Sequence, residues 1–223
     1  MTRTARVDTG DQIYHVLNRA NGRFQIFNSP GEFLLFEQLL FDTIELTGMR
    51  LLAYTIMLNH WHLALYPRND GELREFMHQL TNAHTRKVHA ITGTNGTGHL
   101  YQGRYKSFLV DSDSYLLTLI KYIERNPVRA GLELHPEDWK WGSAWLRVSG
   151  PEAKKKMLDY SMSPLPANYL DWVNTNDKED DLELIRTSVN KGMPYGRETW
   201  VEKMIDAHKL GPTLRGPGRP RKK

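Results

Sequence analysis

The sequence predicts an α+β protein: a ferredoxin-like sandwich with an antiparallel sheet, a mainly helical C-terminal extension and a disordered basic tail. Three observations carry that prediction. Strand-like and helix-like runs follow the order strand, helix, strand, strand, helix, strand over residues 12–110, the pattern of two βαβ halves. A further amphipathic helix comes directly after them and can lie against the sheet. At 39% apolar and 25% charged over 223 residues, the chain has the composition of a soluble protein with one substantial core.

Each element has a local reason. Gln12 to Arg19 reads as a strand, closed by a turn at Asn21-Gly22. Ser29, Pro30 and Glu32 then supply an N-cap, a first-turn proline and a capping box. Phe33, Phe36, Leu39 or Leu40 and Ile44 give that helix its apolar face, and Gly48 ends it. Met49 to Met57 and His60 to Tyr66 read as a strand hairpin. Asp70 is the expected cap of a second helix, in which Leu73, Phe76, Met77 and Leu80 keep helical spacing. Thr92 to Gly98 is too glycine-rich for regular structure, and without a Gly-Lys-Ser/Thr ending it is a plain loop and not a phosphate cradle. Tyr105 to Val110 is the fourth strand. Asp111 or Ser112 is expected to cap a helix running to about Asn126, where Pro127 favours termination.

This reading divides the chain into a unit at 1–131, an extension at 132–210 and a tail at 211–223. Trp139, Trp141 and Trp145 open the extension and point to local packing. Lys154 to Lys156 and the acidic stretch Asp177 to Glu183 read as solvated faces, and Glu198 to Leu210 as a small helix. The tail holds three prolines and three glycines and is expected to be disordered when free.

Charge is unevenly placed. Residues 1–130 hold 14 Lys/Arg against 12 Asp/Glu, residues 131–214 hold 11 against 14, and the last nine residues hold five Lys/Arg with no acid. The net +4 is therefore mostly a tail, suited to nucleic acid or another anionic surface. No apolar run reaches the ~20 residues that span a bilayer, and the first ten residues lack a secretory core, so the cytoplasm is the expected location. With no cysteine, disulfides, thiolate zinc sites and cysteine nucleophiles are excluded. Any metal must be held by nitrogen and oxygen.

Asn59-His60-Trp61-His62 is the most specific stretch. Side chains alternate across a strand, so His60 and His62 share a face, with Cα atoms roughly 7 Å apart. Two imidazoles so placed can converge on one metal ion, while Trp61, Leu63 and Leu65 anchor the other face. A third ligand and a reactive group must come from elsewhere. The helix before Pro127 offers both. Leu116, Leu119, Ile120 and Ile123 form its buried stripe, and Tyr115, Tyr122 and Asn126 fall together on one flank. Tyr122 and Asn126 are one turn apart. Taken alone, the pair is also what a boundary tyrosine and a helix-ending asparagine would give. Beside His-x-His, the amide oxygen is a candidate third ligand and the phenol a candidate covalent nucleophile.

His60-Trp61-His62, followed some sixty residues later by Tyr122-Ile123-Glu124-Arg125-Asn126-Pro127, resembles the single-tyrosine transposases of the His-hydrophobic-His class. The similarity is greatest to the REP-associated tyrosine transposases, IS200-like proteins of bacteria. Tyr14 to Arg19, Met57 to His62, Gly103 to Ser107 and Asn126 to Gly131 resemble that family in order, as does the tryptophan-rich segment, so roughly residues 10–150 are covered.

The resemblance implies a DNA-nicking and joining enzyme. Tyr122 would attack a phosphodiester of single-stranded DNA beside a REP-like hairpin, leaving a 5′-phosphotyrosine and a free 3′-hydroxyl. His60, His62 and Asn126 would hold a divalent cation, Mg²⁺ or Mn²⁺; many relatives carry Gln where Asn126 stands. Around such a site, Arg19, Arg23, Arg104, Lys106, Arg125 and Arg129 are expected to neutralise phosphates. Arg219-Pro220-Arg221 between glycines resembles an extended arginine arm suited to the minor groove of the hairpin. The extension favours a monomer over the homodimer in which simple relatives exchange tyrosine helices. Two other readings compete. One is a catalytically silent hairpin-binding regulator, which would have no use for an intact His60, His62, Tyr122 and Asn126 set. The other is a two-histidine phosphoesterase, for which His78, His84 and His89 supply no second motif.

Overall fold

The structure, a computed structural model, describes residues 6–94, 96 and 98–214. Four strands, β1 (Ile13–Arg19), β2 (Arg50–Ile56), β3 (His60–Tyr66) and β4 (Lys106–Val110), form one antiparallel sheet in the order β2-β3-β1-β4. With α1 (Pro30–Thr47) joining β1 to β2 and α2 (Glu72–Thr92) joining β3 to β4, this is the ferredoxin-like α+β sandwich expected from the element order.

Strand alternation divides the sheet into two working faces. Tyr14 and Val16 of β1, Tyr54 and Ile56 of β2, and Trp61, Leu63 and Leu65 of β3 enter one core with Phe33, Phe36 and Leu40 of α1 and Leu73, Phe76 and Leu80 of α2. On the opposite face Ile13, Ala53, Ala64 and Phe108 meet Leu116, Leu119, Ile120 and Ile123 of α3 (Ser114–Glu124). The third helix is thus the addition against the sheet that its apolar stripe predicts, and it covers the histidine face.

The helix ends test the local readings. Ser29 and Glu32 form the predicted capping box, with the Glu32 carboxylate accepting the Ser29 N–H at 2.9 Å. Gly48 ends α1 at φ 69°, a left-handed conformation that costs glycine little. Asp70 does not cap α2; its carboxylate accepts the Gly10 N–H instead. Asp8, from the N-terminal segment, takes the orphan N–H groups of Leu73 and Arg74 at 3.1 and 3.2 Å. Neither Asp111 nor Ser112 caps α3, which begins after Asp113; Asp111 is drawn away by the guanidinium of Arg197. α3 ends at Glu124, two residues short of the expected stop at Asn126, and Pro127 belongs to the next element. It sits in the first turn of α4 (Asn126–Arg129), where a missing N–H is harmless.

The extension is helical: α5 (Ser143–Ser149), α6 (Glu152–Lys155), α7 (Tyr169–Asn174), α8 (Glu179–Lys191) and α9 (Glu198–Ala207). It closes both sheet edges. Along β2, the Ile56 N–H donates to Trp141 O, the Tyr54 N–H to Ser143 Oγ, and Leu51 O accepts from Asp159. Along β4, the Tyr195 N–H donates to Leu109 O and the Asp111 N–H to Tyr195 O, each at 2.8 Å. Trp141 stacks on Phe33, and Trp139 donates to Ile56 O, so this tryptophan cluster is packing.

Two charged stretches are less solvated than expected. Lys154 pairs with buried Glu37 at 2.6 Å, and Asp177 joins two arginines described below. At the start of the tail, residues 211–214 form a 3₁₀ turn with Thr213 buried, so these four residues are not disordered. Residues 215–223, with Arg219 and Arg221, lie outside the described residues. No helix among the described residues is long and apolar enough to cross a membrane.

Candidate active site

The strand period places His60 and His62 on the face of β3 turned to α3, with ring centroids 5.0 Å apart. Trp61 between them is fully buried on the other face, where its Nε1 donates to Tyr101 Oη at 3.1 Å. Burial, assisted by the nearby charge of Arg19, lowers the pKa of His60 to about 4. Burial also holds His62 well below its ordinary value, with His60 and His15 adding to the effect. Both rings are therefore neutral at physiological pH, the state in which an imidazole can ligate a metal.

Each histidine has one ring nitrogen engaged by the protein. His60 Nδ1 meets Asn59 Oδ1 at 2.7 Å, and His62 Nδ1 meets His15 Nε2 at 2.9 Å. His15 is a component that the sequence reading missed. It lies on β1, where Leu17 is directly opposite His62 and His15 opposite Ala64, so His15 is the diagonal neighbour of His62 on the same face. Period-two alternation along β1 could have assigned its face; only the register brings it to His62.

Tyr122 approaches from α3. The Thr55 hydroxyl, on the residue paired with His62 in β2, donates to Ile123 O at 2.8 Å and fixes the helix at this level. The Tyr122 ring stands edge-on to His62 and His15, with centroids 6.1 and 6.0 Å away, and the residue is 8% exposed. One side of it lines a cavity of about 510 Å³ with Lys121, Trp172, Asp177 and Leu182. Burial raises the phenol pKa, while Arg129, whose guanidinium carbon lies 4.3 Å from the ring centroid, opposes the rise. Tyr115, the other tyrosine on this flank, packs against Tyr195 instead.

Asn126 lies one turn beyond Tyr122, and its amide nitrogen donates to Tyr122 O and Ile123 O, both at 3.1 Å. That fixes the orientation of the amide and turns its Oδ1, the only atom of the side chain able to accept or ligate, away from those carbonyls. Among the described residues no group of three or more His, Asp or Glu is placed to hold a metal ion. The donor set on offer is two neutral imidazoles and an amide oxygen. It fits a cation that retains open positions, and it lacks the closed four-ligand set of structural zinc.

The six described basic residues separate. Arg19 is paired with His60 across β1 and β3, and its Nε is buried without a partner. Arg23, Arg104 and Lys106 are exposed. Arg125 is not a surface cation: it is buried, with its guanidinium donating to Val173 O and Asp177, each at 3.0 Å. Arg129 is half-buried, donates to Tyr122 O, and shares Asp177 at 2.9 Å. Burial and the shared carboxylate make Arg125 a packing group in this structure.

A four-stranded ferredoxin-like sheet carrying paired histidines beside a helix-borne tyrosine defines a class of protein, and comparison places the chain within it. A model of the family described as "Transposase IS200 like" matches residues 9–126, more than half of the chain. The chain belongs to the IS200-like transposase family, and its function is that of a DNA transposase. No curated protein matches significantly. Among solved structures, one described as a REP-associated tyrosine transposase bound to a REP hairpin matches at a TM-score of 0.56 and 14% identity, covering 67% of this chain and 86% of that one. At that identity the likeness concerns the fold. A putative transposase from Deinococcus radiodurans (TM-score 0.40, 19% identity, 56% and 97% covered) is more distant. So is a tRNA(His) guanylyltransferase from Saccharomyces cerevisiae (0.43, 11%, 70% and 74%).

Proposed function

We propose that this transposase nicks and rejoins single-stranded DNA beside a hairpin, with Tyr122 as the nucleophile. The observation that carries the reading is the Tyr122 ring 6.1 Å from that of His62 within one chain. Phenol and imidazole pair come from α3 and β3 of the same protomer, so no exchanged helix is needed.

In the step proposed, Tyr122 Oη bonds to phosphorus as the P–O3′ bond breaks. The phenolic proton passes to solvent and the departing 3′-oxygen takes one up. The 5′-phosphotyrosine conserves the energy of the cut strand, so attack by a 3′-hydroxyl restores a phosphodiester and the phenol. His60, His62 and Asn126 Oδ1 are the groups that would hold Mg²⁺ or Mn²⁺. When bound, such an ion polarises the phosphoryl group and stabilises charge on the leaving oxygen. Arg19, paired with His60 across β1 and β3, would meet a non-bridging phosphate oxygen. Arg129 keeps positive charge over the phenol and lowers the cost of its ionisation. Exposed Arg23, Arg104 and Lys106 offer charge to the flanking strand.

A hairpin partner is supported by the REP hairpin held by the structural neighbour. We further propose a monomer. Both sheet edges, which could otherwise pair with a second copy, are occupied by the chain's own residues 141–143, 159 and 195. The chain would then act on DNA in the cytoplasm, at the nucleoid.

The test is incubation with a single-stranded hairpin oligonucleotide and Mn²⁺, followed by a denaturing gel. A protein band slowed by attached DNA is expected in the wild type and absent from Tyr122→Phe, with hairpin affinity retained. An adduct of undiminished yield in Tyr122→Phe would reject the assignment of the nucleophile. Equal cutting in EDTA would reject the cation.

A further inference from the structure

A ligating histidine must do more than face its metal. A neutral imidazole carries one ring hydrogen, and only the other nitrogen has a lone pair to give. The nitrogen that carries the hydrogen is chosen by whatever the ring bonds on its far side.

At His60 that choice is already made. Asn59 presents an amide, and its Nδ2 donates to Arg23 O at 3.1 Å. This fixes which end of the amide is which, and it turns Oδ1 toward His60 Nδ1, 2.7 Å away. An amide oxygen only accepts, so Nδ1 must carry the hydrogen and Nε2 the lone pair. The Arg23 carbonyl that holds the amide belongs to the turn after β1 (Asn21–Arg23), where Arg23 has φ 63°.

At His62 the partner is another imidazole. His15 Nε2 lies 2.9 Å from His62 Nδ1 in a fully buried contact, with the rings stacked 15° from parallel. If His62 Nε2 is to coordinate, Nδ1 must hold the hydrogen and His15 Nε2 must accept it. The hydrogen of His15 then sits on Nδ1, which is buried without a partner. If instead His15 Nε2 donates, His62 carries its hydrogen on Nε2 and cannot ligate. This second bond can therefore run either way, unlike the first.

We propose that Asn59 and His15 are positioning residues for the histidine pair. Asn59 holds His60 in the Nδ1–H tautomer before any cation arrives, and His15 accepts the Nδ1–H of His62 once a cation takes its Nε2. The inference rests on the metal role assigned to His60 and His62 above. The two partners are unequal. Asn59 presets the first ligand, whereas His15 lets the second be selected by the ion, so cation binding and the state of the His15–His62 bond are linked.

Two measurements test this. Long-range ¹H–¹⁵N correlation on the wild-type protein reads each ring tautomer directly, and needs no variant. Without metal, His60 is expected as Nδ1–H; adding Mg²⁺ should give His62 as Nδ1–H too. His60 carrying its hydrogen on Nε2 without metal, or His62 doing so with Mg²⁺ bound, overturns the proposal. Mn²⁺ affinity by electron paramagnetic resonance is the second. Asn59→Leu and His15→Leu should each weaken binding by about ten- to a hundred-fold. Asn59→Asp and His15→Gln, which keep an acceptor, should recover most of it. Unchanged affinity in folded Asn59→Leu overturns this proposal alone, whereas wild-type protein that binds no Mn²⁺ overturns the metal reading on which it rests.

Discussion

Arg129 lays its guanidinium over the ring of Tyr122, 4.3 Å from the centroid, and donates a hydrogen bond to the backbone carbonyl of the same residue. Asp177, 48 residues further on, holds that arginine in place at 2.9 Å and clamps Arg125 at 3.0 Å. The candidate nucleophile is thus covered by a cation whose counter-ion comes from the C-terminal extension.

Replacing Arg129 should act on the chemistry more than on DNA binding. Burial raises the phenol pKa and Arg129 partly offsets it, so Arg129→Gln leaves the phenol harder to ionise. What bears on the rate is the charge's preference for phenolate over phenol, and losing about 1.4 kcal/mol of that preference would slow adduct formation about ten-fold. Because the positive charge lowers the pKa, its loss should move the rising limb of the pH–rate profile to higher pH. Single-turnover gels across pH check both effects. An unmoved profile at an unchanged rate would remove Arg129 from the mechanism.

Glu124 should prove structurally indispensable. Its carboxylate is fully buried and receives Ser143 Oγ, Arg147 Nε and Tyr169 Oη at 2.7, 2.9 and 2.8 Å. Two residues after Tyr122, it fastens the helix of the nucleophile to the extension. Glu124→Gln leaves Arg147 buried without a counter-charge, a change that typically costs about 3–5 kcal/mol. Urea unfolding should show a matching fall in midpoint; a shift below about 1 kcal/mol would mean that Arg147 finds another partner.

The division between legible and illegible features follows sequence distance. The capping box at Ser29, the glycine stop at Gly48, the opposite faces of Trp61 and His62 and the stripe of α3 are set within a few residues, and the chain alone discloses them. The bonds that complete the site join residues 47 apart (His15 and His62), 36 apart (Arg23 and Asn59) and 52 apart (Arg125 and Asp177). Periodicity states which face a residue takes but not the register that makes two faces meet. The misplaced caps have the same cause. Asp70 and Asp111 are good N-caps by composition, yet Gly10 and Arg197 claim their carboxylates from 60 and 86 residues away.

Acid should destabilise the fold through His84. This ring is fully buried between Phe27 and Phe36, with Nδ1 2.6 Å from Tyr101 Oη, and burial lowers its pKa to about 3. Between the unfolded value near 6.5 and about 3, the unfolded chain binds a proton that the folded chain refuses. The stabilising effect of a neutral His84 is complete above pH 6.5 and falls as pH drops through that window, by about 1.4 kcal/mol per unit. Urea titrations at pH 7, 5.5 and 4.5 should show the decline; buried His15, His60 and His62 add to it, so His84→Gln should make it shallower by one proton's share without abolishing it. An equal slope in that variant would assign the acid sensitivity to other buried groups.

Removing residues 215–223 should separate grip from chemistry. Those nine residues hold five of the 30 Lys/Arg and no acid, whereas the candidate catalytic groups all lie between residues 15 and 129. Each cation seated on a phosphate releases counter-ions and steepens the salt dependence of binding by about 0.7–0.9 in log–log slope. Truncation after Leu214 should therefore weaken hairpin binding at low salt and flatten that slope, by as much as about 4 if all five cations engage. At saturating DNA the rate of adduct formation should stay within about two-fold of wild type. Hairpin affinity measured from 50 to 300 mM salt decides it, since an unchanged slope would show that the exposed Arg23, Arg104 and Lys106 supply the electrostatic grip without the tail.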